Sequence, residues 1–240
     1  MHKLALVALI GLTASAAFIG AAAAIGGKNF SDNMDLSMFG DRPRCEAMSN
    51  ATATTRELEW DGSDHVGLSV GGHASWTPGT DNKVHASGDP QMLAHLQIRD
   101  GRIELDCNGW HHDTGNVTII LPGQEFKRFS IAGSGNLALN KLDQAILKVS
   151  VAGSGSVKAD GKVEHAEIRI AGSGDVDMGQ VASQVSDVHI SGSGDADIAP
   201  SDEADIRISG SGDVNLHSHP SRLESHISGS GRIHNITAGG

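Results

Sequence analysis

Gly-Ser-Gly recurs six times in the second half of this 240-residue chain. The copies are Gly133-Ser134-Gly135, Gly153-Ser154-Gly155, Gly172-Ser173-Gly174, Gly192-Ser193-Gly194, Gly210-Ser211-Gly212 and Gly229-Ser230-Gly231, spaced 18 to 20 residues apart. A period of that size marks a repeat architecture, whose units cannot bury an apolar face alone and must stack on one another. Each tripeptide is flanked by apolar–polar–apolar triplets. Ile168-Arg169-Ile170 and Val188-His189-Ile190 precede two of the corners, and Val176-Asp177-Met178 and Val214-Asn215-Leu216 follow two. Period-two alternation describes half-buried strands. No helical stripe survives across the glycine pairs, which supply backbone angles a side chain would forbid.

Two strands per unit, with a third short apolar stretch drawn from Ile146, Val163, Val181 and Val185, make one rung of a β-solenoid. In a solenoid, equivalent residues lie about 4.8 Å apart, which explains why valine, isoleucine and leucine return to the same positions. A meander of antiparallel hairpins imposes no such recurrence. The expectation is an all-β, single-stranded, right-handed parallel β-helix with rungs of about 19 residues over 129–236. The sixth rung places Ser225 and Asn235 at inward positions, as in a terminal capping repeat.

The N-terminus carries an address. Met1-His2-Lys3 precedes an apolar and small-residue run from Leu4 to Ile25 that ends in Ala21-Ala22-Ala23-Ala24. This is the form of a secretory signal peptide over 1–24; the alternative is an uncleaved anchor. No cysteine follows the run, which argues against a lipoprotein. Loss of Lys3 reduces the 18 basic residues to 17 against 29 acidic ones, a net charge of −12 with histidine neutral. Such an acidic chain is unsuited to nucleic acid, and it meets membrane only through the signal segment. Export to the periplasm or cell surface is expected. Cys45 and Cys107, the only cysteines, are then expected to form a structural disulfide.

Residues 25–53 read as a linker or lead-in. From Arg56 the pattern is β again, with strands at Arg56–Trp60, His65–Val70, His73–Trp76, Lys83–Ala86, Leu96–Arg99, Arg102–Asp106 and Asn116–Leu121. Asp89-Pro90 opens a single helical turn, and Asp100-Gly101 closes a hairpin. This β-rich half is expected to cap or begin the same solenoid. Arg56-Glu57-Leu58-Glu59, the Gly88–Leu96 segment, the Asp100-Gly101 hairpin, Val117-Thr118-Ile119-Ile120-Leu121-Pro122 and the Gly-Ser-Gly rungs together resemble the bacterial GIN-domain family of autotransporter adhesin heads. The resemblance spans about 54–236 and implies a secreted or envelope β-helical domain. It brings no catalytic residue to carry over. The adhesin-head resemblance implies a passenger on a translocating barrel, which is not expected after Gly240, and the Trp76 and His111-His112 region also departs from it.

Three surface features are candidates for chemistry. Lys148, Glu167, Asp187, Asp205 and Glu224 form one outward column beside Ser150, Arg169, His189, Arg207 and His226. This reads as a salt-bridge ladder whose exposed pairs are each worth little. Asp175, Asp195 and Asp213 follow three of the corners, with Asp177, Asp197 and Asn215 two residues on. Stacked carboxylates repel unless cations or hydrogen bonds intervene, so they serve either as turn caps or as calcium ligands. Thirteen histidines include His111-His112, His217-Ser218-His219, His226 and His234. Metal binding by paired histidines lacks a partner at ligand spacing, and they read as surface residues.

A sugar-degrading β-helix needs an aromatic platform. Tyrosine is absent, and Trp60, Trp76 and Trp110 read as core or cap residues. Six serines in Gly-Ser-Gly do not meet the nucleophile-elbow spacing. The reading is a non-enzymatic binding or scaffolding module of the envelope without cofactor, its partner an envelope protein or glycan. The alternative is a calcium-stabilised or carbohydrate-acting β-helix.

Overall fold

The structure, a computed structural model, describes residues 44–48, 51–107 and 117–236. It is a β-solenoid built on stacked parallel coils. The signal-peptide and most of the lead-in expectation lie outside the described residues, as do Trp110 and His111-His112.

Six strands carry the repeats: β8 (Arg128–Gly133), β9 (Asn136–Gly153), β10 (Ser156–Gly172), β11 (Asp175–Gly192), β12 (Ala196–Gly210) and the shorter β13 (Val214–Leu216). They end in β14 (Arg222–Gly229) and β15 (Ile233–Asn235). Pairing is parallel throughout. Register is coil to coil, so Phe129, Val149, Ile168, Val188, Ile206 and Ser225 form one inward column. Ile131, Val151, Ile170, Ile190, Ile208 and Ile227 form the next. All but the last member of each column are almost fully buried.

The third apolar stretch is only half as expected. Val163 and Val181 are buried, but Ile146 is 46% exposed. It shares a column with His165 and Val185 at an outward corner, because His165 reaches the exposed Asp187 carboxylate at 2.7 Å. Leu142 and Leu147 fill the interior of that coil instead. One inward position of the fourth coil is polar. Ser186 is buried there, and its hydroxyl meets that of Ser183 at 2.9 Å, so neither loses a hydrogen bond on burial.

The N-terminal half both begins and caps the solenoid, in an order the sequence does not follow. β2 (His65–Leu68) and β3 (Gly72–Trp76) form a coil that lies parallel against β8 and β9. Val70-Gly71-Gly72 stands where the next coil has its corner, with the Val70 carbonyl against Gly135. β6 (Arg102–Leu105) and β7 (Val117–Ile120) form the coil outside it, pairing parallel with β2 and β3. Antiparallel strands then close that end. β4 (Lys83–Gly88) lies on β7, β1 (Thr55–Glu59) on β4, and β5 (Leu96–Arg99) on β6.

The short helix α1 (Pro90–His95) leads into β5, with the Asp89 side chain accepting the amides of Gln91 and Met92. Trp60, Phe126, Phe129 and Trp76 meet edge to face in series, with centroids 5.2 to 5.8 Å apart. Trp76 is 2% exposed and belongs to the core, and Trp60 is partly buried against it. Cys45 and Cys107 are joined in a disulfide.

Candidate functional site

The acidic corner column is ordered by the backbone. In the second and third coils the first residue after Gly-Ser-Gly, Ser156 or Asp175, donates its amide to the second glycine carbonyl one coil earlier, Gly135 or Gly155, at 3.1 Å. From the fourth coil on, the partner changes. The amides of Asp195, Asp213 and Arg232 donate instead to Oδ1 of Asp175, Asp195 and Asp213, at 3.2, 2.7 and 2.8 Å. Each carboxylate therefore caps the coil that follows it, and its charge is opposed by an oriented N–H dipole. Beside this column Asp177 takes Lys158 at 2.8 Å and Asp197 takes His217 at 2.7 Å. The Asp177 contact holds the Lys158 ammonium above its ordinary pKa.

The two outward columns stack in register as the sequence predicts. Between them Glu167, Arg169, Asp187, His189, Asp205 and Arg207 line an open groove of about 210 Å³. Glu167 is its best-anchored member. Its Oε2 lies 2.7 Å from Lys148 Nζ, its Oε1 meets Arg169, and its side chain is 16% exposed. Burial of this carboxyl works to raise its pKa, but the Lys148 ammonium and Arg169 guanidinium outweigh burial and the net direction is downward. Arg207 Nη2 grips Asp205 Oδ2 at 2.7 Å.

His189 stands in the column between Arg169 and Arg207. The groove walls strip part of its hydration, and the two guanidinium groups add repulsion, so its pKa falls below the ordinary histidine value although the ring reaches solvent. Both effects favour the neutral imidazole over its charged form. The groove thus sets a column of acceptors, Glu167, Asp187 and Asp205, beside a column of donors, Arg169, His189 and Arg207, each repeating at coil spacing.

The remaining sequence candidates are dispersed. His234 lies 3.5 Å from Asp213. Among the described residues one His/Asp/Cys cluster has ligand spacing, His95, Asp106 and Cys107, but the Cys107 sulfur is committed to its disulfide and His95 Nδ1 to Asp106 at 2.7 Å. The His95 contact, which ties the end of α1 to the end of β6, was not read from the sequence. The signal available was a histidine at the last position of a helix followed by an Asp-Cys pair.

No curated protein matches the sequence. Among solved structures, a putative adhesin from Bacteroides fragilis NCTC 9343 is 18% identical, with a TM-score of 0.57 over 76% of this chain and 96% of that one. A putative adhesin from Parabacteroides distasonis ATCC 8503 is 13% identical, with a TM-score of 0.51 over 82% of this chain and 100% of that one. At these identities the likeness is one of fold. The family model described as "Putative auto-transporter adhesin, head GIN domain" matches residues 64–220, from the coil that the repeats stack upon to the fifth Gly-Ser-Gly coil. The chain belongs to that GIN-domain family.

Proposed function

We propose that this chain is an exported, non-enzymatic adhesion-like module of the cell envelope. In this reading cleavage of the 1–24 segment releases a domain beginning near Ile25 into the periplasm or onto the cell surface. The groove between the two charged columns is its contact face, and its partner is a glycan or an equally polar protein surface of the envelope. The observation that carries the reading is the groove itself: the column Glu167, Asp187 and Asp205 lies beside the column Arg169, His189 and Arg207, both repeating at a spacing set by the coils. Hydroxyl-rich ligands are bound by such fans of donors and acceptors. A repeating groove can engage a repeating polymer at several points, where weak contacts multiply. No helix among the described residues is long and apolar enough to cross a membrane.

The test is a glycan array, including peptidoglycan fragments, probed with the wild-type chain and with R169S/R207S. The two arginines are outward, so the variant keeps its fold, checked by circular dichroism. Binding that falls at least tenfold in the variant is the expected result. Binding equal in both proteins, or to no glycan on the array, overturns the assignment of this face to a glycan.

A further inference from the structure

The two ends of the solenoid are finished differently. At the N-terminal end, antiparallel β4 and β1 cover β7, and β5 covers β6. At the other end β14 pairs on one side with β12, and among the described residues nothing pairs with its second edge. Every residue of β14 is exposed. Leu223 and Ile227 are inward residues, stacked on Ala204 and Ile208, yet they remain 45% and 40% exposed. The sixth coil is an open edge rather than the expected cap. An edge of unpaired backbone groups with apolar residues on its inner face is a template for another strand.

The residues of that edge say which strand. Leu223-Glu224-Ser225-His226-Ile227 is self-complementary about Ser225. When two copies run antiparallel with Ser225 opposite Ser225, Leu223 faces Ile227 twice and Glu224 faces His226 twice. Arg222 meets Ser228. Inward residues meet inward residues, so the apolar layer continues across the junction and the acidic and basic positions meet outside it. Opposed pairs of these kinds are the favourable ones in antiparallel sheets. The alternative, head-to-tail growth of one solenoid onto the next, would set β14 against β1 or β5, the outermost strands of the other end, and neither carries the Gly-Ser-Gly register that parallel stacking of coils uses. What is left is an isologous contact that closes on itself.

We propose that β14 is a dimerisation edge, through which two copies of this chain join end to end about a two-fold axis passing between their Ser225 residues. The composition of the sixth coil follows from this. Its inward column reads Phe129, Val149, Ile168, Val188 and Ile206 before turning to Ser225. Only on the two-fold axis does that hydroxyl meet its own copy, where each can hydrogen-bond the other. One strand pair with a few apolar residues is a small interface of the weak, reversible class.

Sedimentation equilibrium of the full-length chain is expected to show a concentration-dependent monomer–dimer equilibrium. Ser225→Cys supplies the sharper test. Directly opposed antiparallel residues have Cα atoms about 4.5–5.5 Å apart, within disulfide reach, and the native cysteines are both engaged. Mild oxidation should convert Ser225→Cys to a covalent dimer and leave Ser211→Cys, exposed at a corner, monomeric. His226→Glu sets glutamate against glutamate and should weaken the dimer at least tenfold, whereas the double variant E224K/H226E should restore it. A wild-type chain that stays monomeric at about 100 μM, Ser225→Cys cross-linking no faster than Ser211→Cys, or a dimer indifferent to His226→Glu would each overturn the proposal.

Discussion

Close stacking excludes a side chain from both glycines of a corner such as Gly192-Ser193-Gly194, where a Cβ on either would stand 2.1 Å from a carbonyl oxygen of the coil before. Only the first glycine is also needed for its backbone angles. Gly192, the first, has φ of +137°, a conformation a side chain rarely adopts. Gly194, the second, does not. A Cβ on it would stand 2.1 Å from the Gly174 carbonyl oxygen and 2.7 Å from Ile170 Cγ2. Stacking, rather than turning, excludes a side chain there. The serine between them donates its amide to the first glycine of the coil before, Ser193 to the Gly172 carbonyl at 2.8 Å. The aspartate that follows acts forward, as Asp195 does for the Asp213 amide. Asp195→Ala should therefore cost roughly 0.5–1.5 kcal/mol, the usual net value of one hydrogen bond, and Asp195→Asn, which keeps an acceptor oxygen, clearly less. Thermal unfolding with and without calcium distinguishes this from ion binding. We expect millimolar calcium to act no better than magnesium on the wild type. A calcium-specific rise abolished by Asp195→Asn would make the column a metal site.

At the scale of the element, each of β9 to β12 is a long strand bent round the core, and its two faces are held by unlike forces. Ile190 is 1% exposed between Ile170 and Ile208, while its neighbour His189 faces the groove. Ile190→Asp should destabilise by several kcal/mol, since an unpaired carboxylate would be buried between two coils. His189→Asp, beside Arg169 and Arg207, should change stability by well under 1 kcal/mol. Urea denaturation of the two variants checks the pair, and similar midpoints would contradict the inward and outward assignment. These strands were legible in the sequence because every coil repeats the same pairing problem, so the solution returns at the same spacing. The charged groove was legible as two columns of residues. The lowered pKa of His189 was not, because it depends on hydration lost between neighbouring side chains. Ile146 was misread for a related reason. Apolar character marks a candidate for burial, but the column it shares with His165 and Val185 decides which way it points.

For the whole molecule, the N-terminal end is where sequence order and spatial order part. β6 and β7 follow β2 and β3 in the chain but lie outside them in the stack. Nothing repeats there, so alternation shows the strands and leaves their partners open. The disulfide brackets this region, since the loop from Cys45 to Cys107, 62 positions apart, encloses β1 to β6. Closing a loop of this size is worth about 4 kcal/mol in the chain-entropy model. Reduction, or the double variant C45S/C107S, should lower the thermal midpoint. A midpoint unchanged by reduction would mean that packing alone holds the cap. The stacking order also bears on how the chain acquires its shape as it is synthesised, N-terminus first. The β2–β3 coil is flanked on one side by residues 102–105 and 117–120 and on the other by 128–139. The first segments to emerge must therefore wait for a later stretch before they are sandwiched. Beyond residue 139 each new coil needs only the one just laid down, about 19 residues back, and assembly becomes a one-way zipper. Its last teeth are β14 and β15, laid on β12 and β13, and no later described strand of the chain takes up their outer edges.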